Sequence, residues 1–130
     1  GIEYPMICFN GGRPIPMPAN ATEDDKKKNA EANDRTKYAM VSVIIHEVGH
    51  NYFPMIINSD ERQWSWMDEG LNSFLQFRAE QELPEVAWTK DLKRPYPSRR
   101  GPAANIVGYM KSAPDTQVPI MTNSEQVKQF

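Results

Sequence analysis

Two histidines and a glutamate stand at a spacing that could hold a metal ion. His46, Glu47 and His50 form the pattern HExxH, and the chain contains no other histidine. Residues four positions apart on an α-helix project from the same face, so both imidazoles could reach one ion. Glu47 would then lie beside the ion rather than on it. The pattern therefore predicts a zinc site with an adjacent general base.

A catalytic zinc ion needs a third protein ligand and an open position for water. Glu69 opens the next predicted helix, with eighteen residues between it and His50, and is the candidate third ligand. Two neutral imidazoles and one carboxylate leave the ion with a net positive charge, so a water at the open position is acidified toward neutrality. Glu47 would take the proton from that water and could pass it to a leaving amine, which completes the hydrolysis of a peptide bond.

A short motif of this kind also occurs by chance, in roughly one chain in a few hundred of this length. The context argues against chance here, because the motif lies in the strongest helical segment and uses both histidines of the chain. A cluster of ionisable groups on an apolar helix is costly unless it is paired or binds a metal. We therefore favour a metal site over a purely structural cluster.

The spacing of apolar residues predicts the helices that would position these residues. Between Lys37 and Tyr52 the apolar residues recur at helical spacing and leave little polar surface, which predicts a buried helix that stops before Pro54. A second, amphipathic helix is predicted from Glu69 to about Leu83. Each of the two helices carries part of the candidate site.

The remaining segments are less regular. Gly1 to Asn10 is typical of a short strand at a sheet edge. The charged stretch Glu23 to Asn33 fits the first turns of an exposed helix and a solvated loop equally well. Ala103 to Ser112 predicts a short helix, and Thr122 with Glu125 forms a capping-box signature for a last helix.

Composition excludes several classes of function. The formal net charge is −2 with both signs interspersed, so no basic face is available for phosphates or anionic lipid. No apolar run approaches the length of a membrane span. Cys8 is the only cysteine, which excludes an internal disulfide and a multi-cysteine metal site. We therefore expect neither nucleic-acid binding nor membrane insertion.

The motif and two flanking segments together resemble the aminopeptidase N family of gluzincin zinc metallopeptidases. The family's signature is HExxH followed after eighteen residues by the zinc glutamate. Trp64 to Phe74 (WSWMDEGLNSF) is similar to the family's segment around that glutamate, and Gly1 to Pro5 (GIEYP) is similar to its exopeptidase motif. The resemblance implies one Zn²⁺ per chain, held by His46, His50 and Glu69.

The resemblance also implies a fold and a substrate. The fold would be α+β and α-rich, with a thermolysin-like zinc core in which an edge strand and the HExxH helix lie near the Glu69 helix crossing beneath. Glu3 would receive the free α-amino group of a peptide, so the enzyme would remove N-terminal residues. Taken alone, Glu3 is typical of a solvated strand glutamate, and only the linked motifs change that interpretation. An endopeptidase with the same core and a catalytically silent, zinc-stabilised binding module are the alternatives.

Members of this family carry a tyrosine, well beyond the zinc glutamate, that donates a hydrogen bond to the tetrahedral intermediate. Tyr96 and Tyr109 lie too close to Glu69 in sequence to match it, and both are more typical of packing residues. The matching tyrosine is expected just past Phe130. We therefore interpret residues 1–130 as a single fragment of a metallopeptidase catalytic domain, with the remaining domains of its parent as partners. We expect it to bind zinc but to have poor or no peptidase activity.

Some residues near the motifs are open to two interpretations or depart from the family. Asp68 and Asn51 flank the ligands and could orient them, although Asp68 suits a helix cap equally well. Ile2 differs from the common exopeptidase motif, which leaves the preferred substrate side chain undetermined. The stretches Glu3 to Met6 and Ser59 to Arg62 are similar to those of several bacterial enzymes, which implies a periplasmic or cell-envelope location.

Overall fold

The computed structural model of the chain describes residues 1–83 and 103–126. These residues are mostly helical, with one two-stranded antiparallel sheet. The elements are β1 (Ile2–Tyr4), β2 (Ile7–Phe9), α1 (Glu23–Gly49), α2 (Glu69–Glu82) and α3 (Ile106–Met110). Short 3₁₀ turns lie at Ser65–Met67, Ala103–Asn105, Pro114–Thr116 and Ser124–Gln126.

The first ten residues form a β-hairpin, so the prediction of a single edge strand was wrong. β1 and β2 pair antiparallel, with Glu3 opposite Cys8. Met6 turns the chain with a φ of 64°, and its N–H donates to Asn51 Oδ1 at 3.2 Å. The prediction failed because this turn lacks the Asn-Gly or Asp-Gly pair that marks most tight hairpins. The contact with Asn51 ties the hairpin to the end of α1.

The charged stretch Glu23 to Asn33 forms the first part of α1, so the helix interpretation is correct and the loop interpretation is wrong. Thr22 caps the helix: its hydroxyl accepts from the Asp25 N–H at 3.2 Å, and Asp25 Oδ2 accepts from the Thr22 N–H at 3.0 Å. This reciprocal capping box satisfies two amide groups at the helix start. The three acidic residues of the first turn also favour a helix N-terminus, because its dipole end is positive.

The motif-bearing part of α1 is helical as predicted, but α1 ends at Gly49 with His50 as its C-cap, short of the predicted end at Tyr52, and it is not buried on all sides. Ile44 and Val48 are 42% and 49% exposed. Together with Tyr52 and Leu75 they line an open apolar groove of about 350 Å³ between α1 and α2. The apolar stripe of α1 is wider than the face that α2 covers, so part of it stays exposed. None of the described helices has the length and apolar character needed to cross a bilayer.

The contact between α1 and α2 depends on Gly49, the residue before the second motif histidine. A Cβ at this position would overlap Asn72 Oδ1. Asn72 is fully buried on α2, and its Nδ2 donates to the His46 carbonyl at 2.7 Å. The missing side chain at Gly49 therefore lets the two helices approach closely enough to share a site.

The C-terminal predictions had mixed outcomes. The predicted short helix is confirmed as a 3₁₀ turn followed by α3. The predicted capping box is wrong for the described residues, because Asn123 Oδ1, rather than Thr122, accepts from the Glu125 N–H at 3.0 Å, and one 3₁₀ turn follows. Ser124 joins this segment to the loop before α2 through its N–H, which donates to the Gln63 carbonyl at 2.8 Å.

Candidate metal centre and active site

The three predicted zinc ligands meet where α1 contacts α2. His46 Nε2 lies 3.1 Å from Glu69 Oε2 and 3.1 Å from His50 Nε2, and His50 Nε2 lies 4.0 Å from Glu69 Oε2. Two ligand atoms, each about 2.1 Å from a tetrahedral zinc ion, stand about 3.4 Å apart. The spacing of these three atoms is therefore suitable for zinc.

The cluster is buried on the histidine side and open on the glutamate side. The side chains of His50 and His46 are 1% and 18% exposed, whereas that of Glu69 is 57% exposed. The two rings meet edge to face, because one helical turn separates their positions on α1. Solvent and a ligand could thus approach from the Glu69 side.

Each imidazole is held by a hydrogen bond on the nitrogen that faces away from the cluster. His50 Nδ1 donates to the Phe53 carbonyl at 2.8 Å, and His46 Nδ1 donates to Gln76 Oε1 at 3.0 Å. A neutral ring that donates from Nδ1 carries its lone pair on Nε2. Two Nε2 lone pairs and an oxygen of Glu69 therefore converge, which is favourable only with a cation or a proton among them.

The orientation of the Gln76 amide follows from its other partners. Gln76 Nε2 donates to Ser42 Oγ at 2.7 Å and to Glu80 Oε1 at 2.9 Å. An ionised carboxylate can only accept, so the amide nitrogen faces Glu80 and the amide oxygen faces His46. The network thus assigns the Nδ1–H form to His46.

Gln76, Glu80 and Asn72 were not identified from the sequence. A signal was present, because these polar residues recur at helical spacing from Glu69 and occupy the face of α2 that packs on α1. Asn72 and Glu80 are 0% and 1% exposed. A polar row on the inner face of an amphipathic helix is unusual, since buried polar groups need partners.

Asp68 and Asn51, the two predicted orienting residues, differ in what they contact. Asp68 Oδ1 lies 2.8 Å from His50 Nδ1, while the hydrogen bond of that nitrogen goes to the Phe53 carbonyl, so Asp68 contributes mainly its charge. It makes no capping hydrogen bond to α2, which removes the alternative role. Asn51 holds the hairpin turn instead of a ligand.

Two titratable groups at the cluster have shifted pKa values. Burial raises the pKa of Asp68 to about 6, with His50 opposing the shift and Glu69 adding to it. The hydrogen bond with Glu69 raises the pKa of His46, while burial opposes that rise. A proton on His46 Nε2 would satisfy the same converging lone pairs as a metal ion, so the two would compete.

The predicted base and the predicted amine-binding residue lie next to the ligands. Glu47 is 5% exposed, and its Oε2 has no hydrogen-bond partner among the described residues. Its Oε1 lies 3.5 Å from the Gly1 nitrogen, at the start of β1. Glu3, half-buried on β1, has a carboxylate oxygen within 4.8 Å of ligand atoms of Glu47 and His50. The hairpin therefore adds a second carboxylate beside the base.

Of the two tyrosines Tyr96 and Tyr109, Tyr96 lies outside the described residues. The Tyr109 hydroxyl accepts from the Val118 N–H at 2.9 Å, and its side chain lies in the α3 segment. Tyr109 is 47% exposed, and its hydroxyl contacts the backbone of the segment that follows α3.

Comparisons with protein-family models, with curated proteins and with solved structures found no match.

Proposed function

We propose that this chain carries the zinc site of a metallopeptidase that removes N-terminal residues from peptides. The observation that supports it most strongly is the convergence of His46 Nε2, His50 Nε2 and Glu69 Oε2, with both Nδ1–H groups directed elsewhere. Nitrogen and oxygen ligands at tetrahedral spacing suit zinc. Three protein ligands leave one position open, as in catalytic rather than structural zinc sites.

The chain's own groups would supply the proton transfers. A bound zinc ion would polarise the scissile carbonyl and lower the pKa of a water molecule toward neutrality. Glu47 would take a proton from the attacking water on Oε2, which has no hydrogen-bond partner among the described residues, and would return it to the leaving amine. His50 and His46 keep their orientation through their Nδ1–H bonds, so the ligand set does not have to rearrange during the reaction.

The choice of an aminopeptidase depends on Glu3. Its carboxylate lies close enough to Glu47 and His50 for a substrate ammonium group bound there to stand beside the base. Only a chain terminus offers such a cation at the cleavage point, and a charge-assisted hydrogen bond would hold it. The helix with HExxH, the helix with Glu69 and the adjoining hairpin would together form the thermolysin-like core of a larger catalytic domain.

The zinc site is tested by elemental analysis of the purified chain. We expect one zinc per chain, lost or weakened in His50→Ala and Glu69→Ala. A metal-replete chain without zinc would remove the basis of every catalytic role proposed above.

The reaction is tested with an aminoacyl anilide that has a free amine and with its N-acetylated counterpart. We expect slow hydrolysis of the free-amine compound, because Tyr109 lies too close to Glu69 in sequence to match the tyrosine that the resemblance calls for. Glu47→Gln should abolish this hydrolysis, and Glu3→Ala should impair it selectively. Equal losses on both compounds in Glu3→Ala would favour an endopeptidase. Hydrolysis that Glu47→Gln leaves unchanged would show that this site does not catalyse it, and a zinc-stabilised binding module would then be the better interpretation of the site.

A further inference from the structure

Glu80 is a buried carboxylate that the proposed reaction does not use. It is 1% exposed on the inner face of α2, and it forms no ion pair with any described residue. Its Oε1 accepts from Gln76 Nε2, and its Oε2 has no hydrogen-bond partner among the described residues. Burial of a carboxylate without a cation is costly, so its single strong contact, with Gln76, is the place to look for its effect.

We infer that Glu80 and Gln76 are positioning residues that decide which nitrogen of His46 carries the proton, and so keep Nε2 free for a metal ion. This inference rests on the proposed zinc site. Glu80 touches no ligand. It acts through the amide of Gln76, whose oxygen accepts from His46 Nδ1 at 3.0 Å.

The opposite orientation of the amide shows why the charge of Glu80 matters. With the amide reversed, Gln76 Oε1 would face the Glu80 carboxylate, so two acceptors would oppose each other. Gln76 Nε2 would then donate to His46 Nδ1, and the ring proton would move to Nε2, the ligand atom. Ser42 cannot prevent this reversal, because a hydroxyl donates or accepts as required. The Glu80 carboxylate is therefore the group that fixes the amide.

His50 provides an internal comparison. Its Nδ1–H is held by the Phe53 carbonyl, which can only accept and cannot reverse. Its tautomer is set by the backbone and should not respond to Glu80. The effect of Glu80 is thus specific to one of the two histidines, although the rings are in contact.

The first test compares Glu80→Gln with Glu82→Gln, which makes the same chemical change at an exposed position of the same helix. Zinc affinity is measured by competition with a chelator, and folding is followed by circular dichroism. We expect Glu80→Gln to weaken zinc binding by about 10- to 100-fold, as is usual for groups behind a metal ligand, and Glu82→Gln to leave it unchanged. Equal affinities in the two variants would overturn the inference.

A second pair of variants applies where Glu80→Gln does not fold. Gln76→Glu combined with Glu80→Gln exchanges the carboxylate and the amide, which keeps an acceptor opposite His46 Nδ1 without setting two carboxylates against each other, whereas Gln76→Leu removes the acceptor at similar size. We expect the exchange to retain zinc affinity and Gln76→Leu to weaken it by about 10- to 100-fold. Equal effects of the two changes would contradict the role of the acceptor.

The tautomer can also be read without any metal. ¹⁵N NMR of the metal-free chain, at a pH above the titration of the ring, reports which nitrogen carries the proton. We expect the Nδ1–H form for His46 in the unsubstituted chain, a mixture in Glu80→Gln, and no change for His50. An Nε2–H form in the unsubstituted chain would overturn the inference. A chain with the expected tautomers that binds no zinc would instead count against the proposed function alone.

Discussion

At the scale of single residues, the site is decided by where protons and lone pairs lie. Hydrogen bonds to Gln76 and Phe53 turn both imidazoles so that their Nε2 atoms face Glu69. The same convergence raises the pKa of His46, because its protonated form pairs with Glu69. The groups that would suit a metal ion in the cluster thus also suit a proton.

Zinc affinity should consequently depend on pH. The pKa of His46 is raised above its ordinary value of 6.5. Below this raised pKa the ring is protonated, and it must lose the proton before zinc can bind. We expect affinity to fall as pH decreases through this raised pKa, by about tenfold per pH unit once the ring is protonated. Chelator competition at a series of pH values measures this, and an affinity that is constant from neutral to acidic pH would contradict it.

Asp68→Asn should stabilise the metal-free protein and at the same time weaken its metal binding. The pKa of Asp68 is raised to about 6 from an ordinary value of 3.8, so the folded state binds this proton more tightly than the unfolded state does. Its contribution to stability is present at acidic pH and is lost as pH rises through about 6. We expect Asp68→Asn to raise the free energy of unfolding above pH 6 by up to about 3 kcal/mol, and to weaken zinc binding because His50 loses a neighbouring negative charge.

The control for Asp68→Asn is the same measurement on both proteins at acidic pH. Well below pH 3.8, the ordinary pKa of this group, Asp68 is uncharged in both the folded and the unfolded state, so the difference in unfolding free energy should disappear. Denaturant titrations at acidic and neutral pH provide the measurement. A destabilisation of equal size at both pH values would show that Asp68 acts through packing rather than through its charge.

At the scale of elements, the site is a property of the contact between α1 and α2. One helix supplies both imidazoles and Glu47, the other supplies Glu69 and the buried row behind it, and the hairpin adds Glu3. Gly49 and Asn72 set the distance between the helices. A change at the contact should therefore reach the ligands even where it replaces none of them.

Gly49→Ala is the smallest change that tests this dependence. Its Cβ would overlap the buried Asn72 Oδ1, so α2 must move away from α1. We expect a loss of about 1–3 kcal/mol in unfolding free energy, as for other overpacked sites, together with weaker zinc binding. Gly108→Ala in α3 is the matched control, because its Cβ would meet open space. Unchanged zinc binding in Gly49→Ala would show that the ligands tolerate a wider separation of the helices.

At the scale of the whole molecule, the described residues bury little apolar surface. Tyr38 is the only hydrophobic side chain among them that is fully buried, while the other buried side chains are polar and surround the cluster. Apolar residues of α1 and α2 line an open groove instead. Stability therefore depends more than usual on the polar site, and anything that binds there should have a large effect.

Zinc should therefore raise the thermal stability of the chain. A ligand that binds only the folded state adds about 2.7 kcal/mol at a concentration 100 times its dissociation constant. We expect a concentration-dependent rise in the melting temperature with zinc, absent in Glu69→Ala, as followed by circular dichroism. Magnesium at the same concentration is the control, because it prefers oxygen ligands in octahedral geometry. A melting temperature that zinc does not change would argue against a preformed site.

The sequence by itself determined the features that depend on local periodicity. The spacing of His46, Glu47 and His50 within an apolar helical segment placed them on one helix, and the position of Glu69 placed it at the start of the next, because helix geometry needs only neighbouring residues. The acidic residues that lead the charged stretch suited the start of a helix, although the same stretch suited a loop, and the Thr22 cap appeared only in the structure. The metal and catalytic roles of these residues were predictions from that pattern and stay predictions.

Only the tertiary structure decided which groups stand behind the ligands and beside the base. Gln76 contacts His46 across the helix pair and is itself held by Glu80, Asn51 holds the hairpin rather than a proposed ligand, and Asp68 lies beside His50 rather than capping its own helix. Such pairings join residues that are distant in sequence, and they depend on the distance and rotation between packed elements. No local pattern encodes those two quantities, because they follow from how all the side chains at the contact fit together.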